Sequence, residues 1–187
     1  MKIEIISGSP RANSNSHRVA LFLQQQISQQ SDAEVGLVDL REHHLPPMQD
    51  VFRTAADAPE HLRPLAERFF AADAFVIVTP EYNGSYSPAM QNLFDHFPKQ
   101  HHKAFGLVTA STGSLGGMRA AMQLQQFVLA IFGNPSPYML IIPQMDKKFD
   151  AAGTLLDPAF QRNTDLFVQE FLWLAGRLSH VDVGAGV

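Results

Sequence analysis

Three short stretches hold the residues best able to do chemistry. Thr79-Pro80-Glu81-Tyr82-Asn83-Gly84-Ser85-Tyr86-Ser87-Pro88 offers a carboxylate, an amide, hydroxyls and aromatic faces. Pro80 stiffens that stretch, and Gly84 permits a turn or a close approach to a ligand. Gly8-Ser9-Pro10-Arg11-Ala12-Asn13-Ser14-Asn15-Ser16 surrounds a single arginine with hydroxyl and amide groups. Hydroxyls, a guanidinium and the free N–H groups of a helix start suit a phosphate. Ala110-Ser111-Thr112-Gly113-Ser114-Leu115-Gly116-Gly117 lets backbone N–H groups come close to a flat or anionic ligand. Each stretch also has a plain reading. One of Ser14, Asn15 and Ser16 caps a helix, and the other two stretches are turns of common composition. A cap does not account for the whole first cluster with Arg11, which favours a phosphate. That loop lacks Gly-x-Gly-x-x-Gly and Gly-Lys-Ser/Thr, which argues against a dinucleotide fingerprint or a P-loop.

The elements that position these stretches follow from hydrophobic spacing. Apolar runs at Lys2–Ser7, Glu34–Leu40, Ala74–Val78, Ala104–Thr109 and Tyr138–Ile142 read as five strands. Between them, Val19, Phe22, Leu23 and Ile27 mark one helix face, and Leu62, Leu65 and Phe69 a second within Ala58–Ala72. Pro64 puts the start of that second helix nearer itself. Met90, Leu93, Phe94 and Phe97 mark a third face. A helix over Met118–Phe132 carries two apolar stripes, Met118, Met122, Leu129, Phe132 and Ala120, Leu124, Phe127, Ile131. A packed helix needs one such face, so the other meets either a second subunit or the next helix. Pro158 opens a last helix with Phe167, Phe171, Leu174 and Leu178 on one face, and 181–187 reads as a loose tail.

Strands alternating with helices imply a parallel sheet covered on both faces. In the order 2-1-3-4-5, the carboxyl ends of strands 1, 3 and 4 surround one crevice. The three polar or glycine-rich stretches follow those strands. The first suits a phosphate and the other two a planar polar ring, so a mononucleotide with a large ring, such as FMN, fits all three.

Composition narrows the function classes. The chain has 187 residues, 45% of them hydrophobic, which suits one domain over residues 1–187. Lys and Arg total 14 against 18 Asp and Glu, a formal charge of −4 with no global basic footprint for nucleic acid. The absence of cysteine excludes disulfides, thiolate metal sites and cysteine nucleophiles. The pairs His43–His44 and His101–His102 have no carboxylate pattern at ligand spacing and read as solvated loop residues, not a metal site. No apolar run reaches the length of a membrane span, and no signal layout opens the chain. The expectation is a cytoplasmic protein.

Gly8-Ser9-x-Arg11-x-x-Ser14, Pro80-Glu81-Tyr82-Asn83 with Ser85, Asn92, Asp95 and Ser111-x-Gly113-x-x-Gly116-Gly117-x-Arg119 together resemble the NAD(P)H-dependent FMN reductase family. This flavodoxin-like group includes quinone, azo-dye and chromate reductases. The resemblance implies an α/β three-layer sandwich with a five-stranded parallel sheet. It implies FMN and NAD(P)H as cofactors, a small-molecule electron acceptor, and a homodimer or homotetramer. Ser9, Arg11, Ser14 and Ser16 would hold the FMN phosphate, with Asn15 in the same cofactor-binding set. Pro80, Glu81, Tyr82, Asn83 and Gly84 would wrap the ribityl chain and the ring edge. Ser111, Gly113 and Gly116 would lie along the far edge of the ring. Hydride transfer through a flavin needs no protein acid, base or nucleophile, so no catalytic residue is assigned. The rival readings are a flavodoxin-type electron carrier and a flavodoxin-like scaffold that binds no flavin.

Overall fold

The computed structural model describes residues 1–179, so the tail expected over 181–187 lies outside the described residues. The elements in chain order are β1 (Lys2–Ser7), α1 (Asn15–Gln30), β2 (Glu34–Asp39), α2 (Arg63–Ala71), β3 (Ala74–Pro80), α3 (Pro88–Asp95), β4 (Ala104–Ala110), α4 (Met118–Ala130), β5 (Asn134–Pro135), β6 (Leu140–Ile142), α5 (Met145–Lys148) and α6 (Gln161–Ser179). All strands pair in parallel in the order β2-β1-β3-β4-β5, with β6 also on β4.

Side chains alternate across the strands and build two cores. Ile3, Ile5, Val76 and Val78 face α1 and α6, where Leu23, Ile27, Phe167 and Phe171 are buried. Ile6, Phe75 and Ile77 face α2, α3 and α4, where Phe69, Phe94 and Leu124 are buried. The result is three layers, with the sheet in the middle.

The fifth strand differs from the expected single run over Tyr138–Ile142. It is split into β5 and β6. Ala104 pairs with Asn134 and Val108 with Leu140, so the edge strand carries two residues more than β4 over the same length. Pro135 and Pro137 lack N–H groups and are tolerated only at such an edge. Ser136 between them keeps one ladder bond, from its N–H to the Phe105 carbonyl at 2.7 Å. The helix expected over Ala58–Ala72 is a 3₁₀ turn, Glu60–Leu62, followed by α2 with Pro64 in its first turn. Helix α3 ends at Asp95, yet Phe97 beyond it remains buried. Helix α4 stops at Ala130, two residues before the expected end, and Phe132 takes a left-handed φ of 61°.

Candidate active site

The carboxyl ends of β1, β3 and β4 open into a cleft of about 520 Å³. Each wall is held by bonds local to its own strand end. In the β3 loop, Asn83 and Gly84 have φ of 53° and 83°. Two positive φ values at the corner make a type I′ turn, for which Asn-Gly is the preferred pair. The turn is closed by the Tyr82 N–H to the Ser85 carbonyl at 2.8 Å and the reverse bond at 3.1 Å. Thr79 Oγ1 accepts from the Ser87 N–H at 3.0 Å. The Ser87 hydroxyl accepts from the Met90 N–H at 3.2 Å, capping α3, and donates to the Gly8 carbonyl. One serine thus ties the β3 loop to the β1 loop.

The β1 loop is fixed at both ends. The Gly8 N–H donates to the Val78 carbonyl at 2.8 Å. Ser14 caps α1, accepting from the His17 N–H at 3.2 Å. The hydroxyls of Ser14 and Ser16 are 3.1 Å apart, and that of Ser9 is 3.2 Å from the Tyr82 hydroxyl. All three serines are buried. The Arg11 guanidinium lies over the Tyr82 ring, 4.6 Å from its centroid, and forms no ion pair among the described residues.

The β4 loop mirrors the β3 loop. Thr79 and Thr109 are registered partners, and Thr109 Oγ1 donates to the Gly116 carbonyl at 3.0 Å. Glu81 accepts from the Ala120 N–H at 3.4 Å, which places a carboxylate at the α4 N-terminus, where the helix dipole favours it.

Ser9, Arg11, Ser14, Asn15, Ser16, Pro80, Glu81, Tyr82, Asn83 and Ser111 all line the cleft. Gly84, Gly113 and Gly116 are not among its lining residues. Gly84 is a turn corner. The Gly113 carbonyl accepts from the Gln144 N–H at 3.2 Å. Gly116, at φ 63°, is buried against the β6 end, where a Cβ would lie 2.7 Å from the Pro143 nitrogen. Their places in the fold are set by the shape of the loops.

Asn13, Pro88, Ala110, Thr112 and Met145 also line the cleft, and sequence reasoning did not select them. Asn13, Pro88, Ala110 and Thr112 stand inside the quoted stretches and could have been chosen. Met145 comes from α5, a single turn that hydrophobic spacing does not reveal. Its N–H donates to the Ser111 carbonyl at 3.1 Å. Asn92 lies outside the cleft and anchors the long connection after β2. Its amide donates to the Leu45 and Pro46 carbonyls at 3.3 and 2.9 Å and accepts from the Met48 N–H at 3.1 Å.

The strand order, the three layers and a cleft over the switch point define a flavodoxin-like α/β protein. Residues 1–144 match the family described as NADPH-dependent FMN reductase, and the chain belongs to that family. It is an FMN-dependent NAD(P)H oxidoreductase. An FMN-dependent NADPH-azoreductase of Staphylococcus aureus is 28% identical over 178 residues, covering 92% of this chain and 94% of its own length. The fold is shared with a flavoenzyme NAD(P)H:(acceptor) oxidoreductase from Paracoccus denitrificans, at TM-score 0.78 and 23% identity over 94% of this chain and 97% of that one. A mutant flavodoxin from Pseudomonas aeruginosa superposes less well, at TM-score 0.55 and 20% identity over 91% of this chain and 99% of that one.

Proposed function

We propose that the cleft holds FMN with its phosphate in the Ser9–Ser16 loop and its ring against the loops after β3 and β4. One observation carries this reading. Buried serine hydroxyls, the α1 N-terminus and an arginine without an ion pair among the described residues converge on one end of a cleft. That donor set fits a phosphate dianion. The cleft's volume falls within the range of about 300–1,000 Å³ usual for small-molecule sites.

Bound FMN would accept hydride from NAD(P)H and pass the electrons to an acceptor. The protein's contribution is binding and orientation. Arg11 and the serines neutralise and fix the phosphate. The type I′ turn and Pro80 give the ring a stiff edge. Glu81 is held by the α4 N-terminus, which suits a fixed wall of the site. Nicotinamide and acceptor use the open side of the cleft in turn, giving ping-pong kinetics. A quinone, an azo compound, a metal oxyanion or a free flavin can serve as acceptor, and the similarity to an azoreductase favours testing an azo dye first.

The protein works as a homodimer or homotetramer in the cytoplasm. The outer stripe of α4 supports the assembly: Leu115, Met118, Met122, Leu129 and Phe132 are between 46% and 67% exposed along one side of the helix and its flanks. Apolar surface gathered in this way marks an interface between proteins. Replacing both Leu129 and Phe132 with Glu is expected to leave a folded monomer, read by sedimentation velocity; an unchanged oligomer places the interface elsewhere.

The function is tested by the visible spectrum of the purified protein under anaerobic conditions. The expected result is a flavin spectrum that bleaches with NADPH or NADH and recovers with an azo dye or a quinone. A flavin spectrum that persists with both nucleotides supports the electron carrier, and a protein that stays colourless with added FMN overturns the site.

A further inference from the structure

A second polar cluster lies beside the β1 loop, and none of its members lines the cleft. Ser7 and Asp39 are the last registered pair of the β1–β2 ladder, and both are buried. Asp39 is gripped by Arg41. The Arg41 Nε lies 2.9 Å from each carboxylate oxygen, Nη2 also donates, and the Arg41 backbone N–H donates at 3.1 Å. His17 Nδ1 sits 3.0 Å from the Ser7 hydroxyl and 3.4 Å from Asp39. Burial works against the charge on Asp39, but the Arg41 hydrogen bonds and the neighbouring positive charge outweigh it and hold the carboxyl below its usual range. Burial also pushes His17 below its ordinary value, by more than the Asp39 carboxylate raises it.

A buried carboxylate is costly unless it is well paired. Asp39 and Arg41 are two residues apart, so their pairing alone joins no distant parts of the fold. The reach of the cluster comes from one further donor. Arg41 Nη1 donates to the Ala12 carbonyl at 3.3 Å. Ala12 stands at the exposed crown of the β1 loop, between the fixed ends at Gly8 and Ser14.

We propose that Arg41 is a positioning residue for phosphate recognition: held in place by Asp39, it pins the crown of the β1 loop through Ala12 and so presets Arg11 and the loop N–H groups. The proposal rests on the reading that this loop takes the phosphate. A loop ordered before binding loses less entropy when the ligand arrives. Lysine cannot substitute, because one ammonium cannot grip both Asp39 oxygens and reach Ala12 as a planar fork does.

The test compares FMN with riboflavin, which lacks the phosphate, by fluorescence titration of the flavin-free full-length protein. Wild type is expected to prefer FMN. Arg41→Gln and Arg41→Lys should each weaken FMN by roughly tenfold and leave riboflavin affinity unchanged. Arg41→Gln also lowers the thermal midpoint, because it leaves the buried Asp39 without its charged partner, whereas Arg41→Lys keeps a cation beside it. Equal loss for both flavins would mean a general disturbance of the site and would overturn the proposal. So would full FMN affinity in Arg41→Lys, since charge alone would then suffice. The lysine variant also keeps the test alive if Arg41→Gln does not fold. A wild type that binds both flavins equally would show that the loop takes no phosphate, a failure of the underlying reading that is visible before any variant is made.

Discussion

At the amino ends of β1 and β3, polar groups are closed on protein partners. Glu4 in β1 accepts from Arg68 of α2 at 3.0 and 2.6 Å, and its carboxylate occupies the space that a Cβ on Gly36 would need. The Lys2 N–H donates to Asp73 at 2.7 Å, and the Asp73 N–H returns a bond to the Lys2 carbonyl at 2.8 Å. At the carboxyl ends, Ser9, Ser14 and Ser16 are equally buried, but their side-chain bonds run to one another, to Tyr82 and to nearby backbone N–H groups. Arg11 there has an aromatic face in place of a carboxylate. Where every charge has a protein partner, the group holds the fold. Where donors gather around a cleft without a matching anion, they are set for a ligand.

The contrast predicts effects of opposite kind. Arg68→Ala strips the partner from Glu4, whose side chain is only 10% exposed. Allowing for the partial exposure of Arg68, the loss should be about 2–3 kcal/mol of folding stability in urea denaturation, with FMN affinity unchanged. Arg11→Ala should do the reverse. FMN affinity should fall about ten- to fiftyfold, as for loss of a charge-assisted bond, while the flavin-free protein unfolds at the wild-type urea concentration. An Arg11 variant that unfolds as early as the Arg68 variant would erase the distinction between the two ends.

Much of this division was legible in the sequence because it follows from local pattern. The strands ending at Ser7 and near Thr79 and Thr109 stand out by spacing, and so do the polar stretches after them. The inward stripe Ala120, Leu124, Phe127, Ile131 was also readable, but spacing left its counterpart open between a second subunit and the next helix, and only the structure shows that stripe exposed. What could not be read depends on partners far along the chain. The break between β5 and β6 is set by register against β4. Met145 enters the cleft because the β6 end is bonded to Ser111. Arg41 looks like an ordinary loop charge until Asp39, His17 and Ala12 are brought around it. A turn at Gly84 was readable, but its type was not drawn from the sequence, although Asn-Gly is the pair that favours the type I′ turn it makes.

The smallest expected effect tests whether charge at the amino end is always an asset. Lys103 immediately precedes β4, and its ammonium lies 5.3 Å from the centroid of the Phe75 ring. Burial lowers its pKa from 10.5 to about 8, and Asp73 opposes that shift only in part. The charged form is therefore worse off in the folded protein than in the unfolded chain. Below about pH 8 the side chain is protonated in both states and the penalty is fully present. Between that pH and 10.5 the unfolded chain binds more protons, so this contribution to stability improves as pH rises. Lys103→Met keeps most of the apolar stem and removes the charge. It should raise stability at pH 7 by on the order of 1 kcal/mol, and the gain should shrink as urea denaturation is repeated toward pH 10. FMN affinity should stay the same, because the residue lies at the far end of β4 from the cleft. A loss of stability at pH 7 would mean that the attraction between the ammonium and Phe75 outweighs desolvation, and that this end of the sheet uses even its least paired charge to hold the fold.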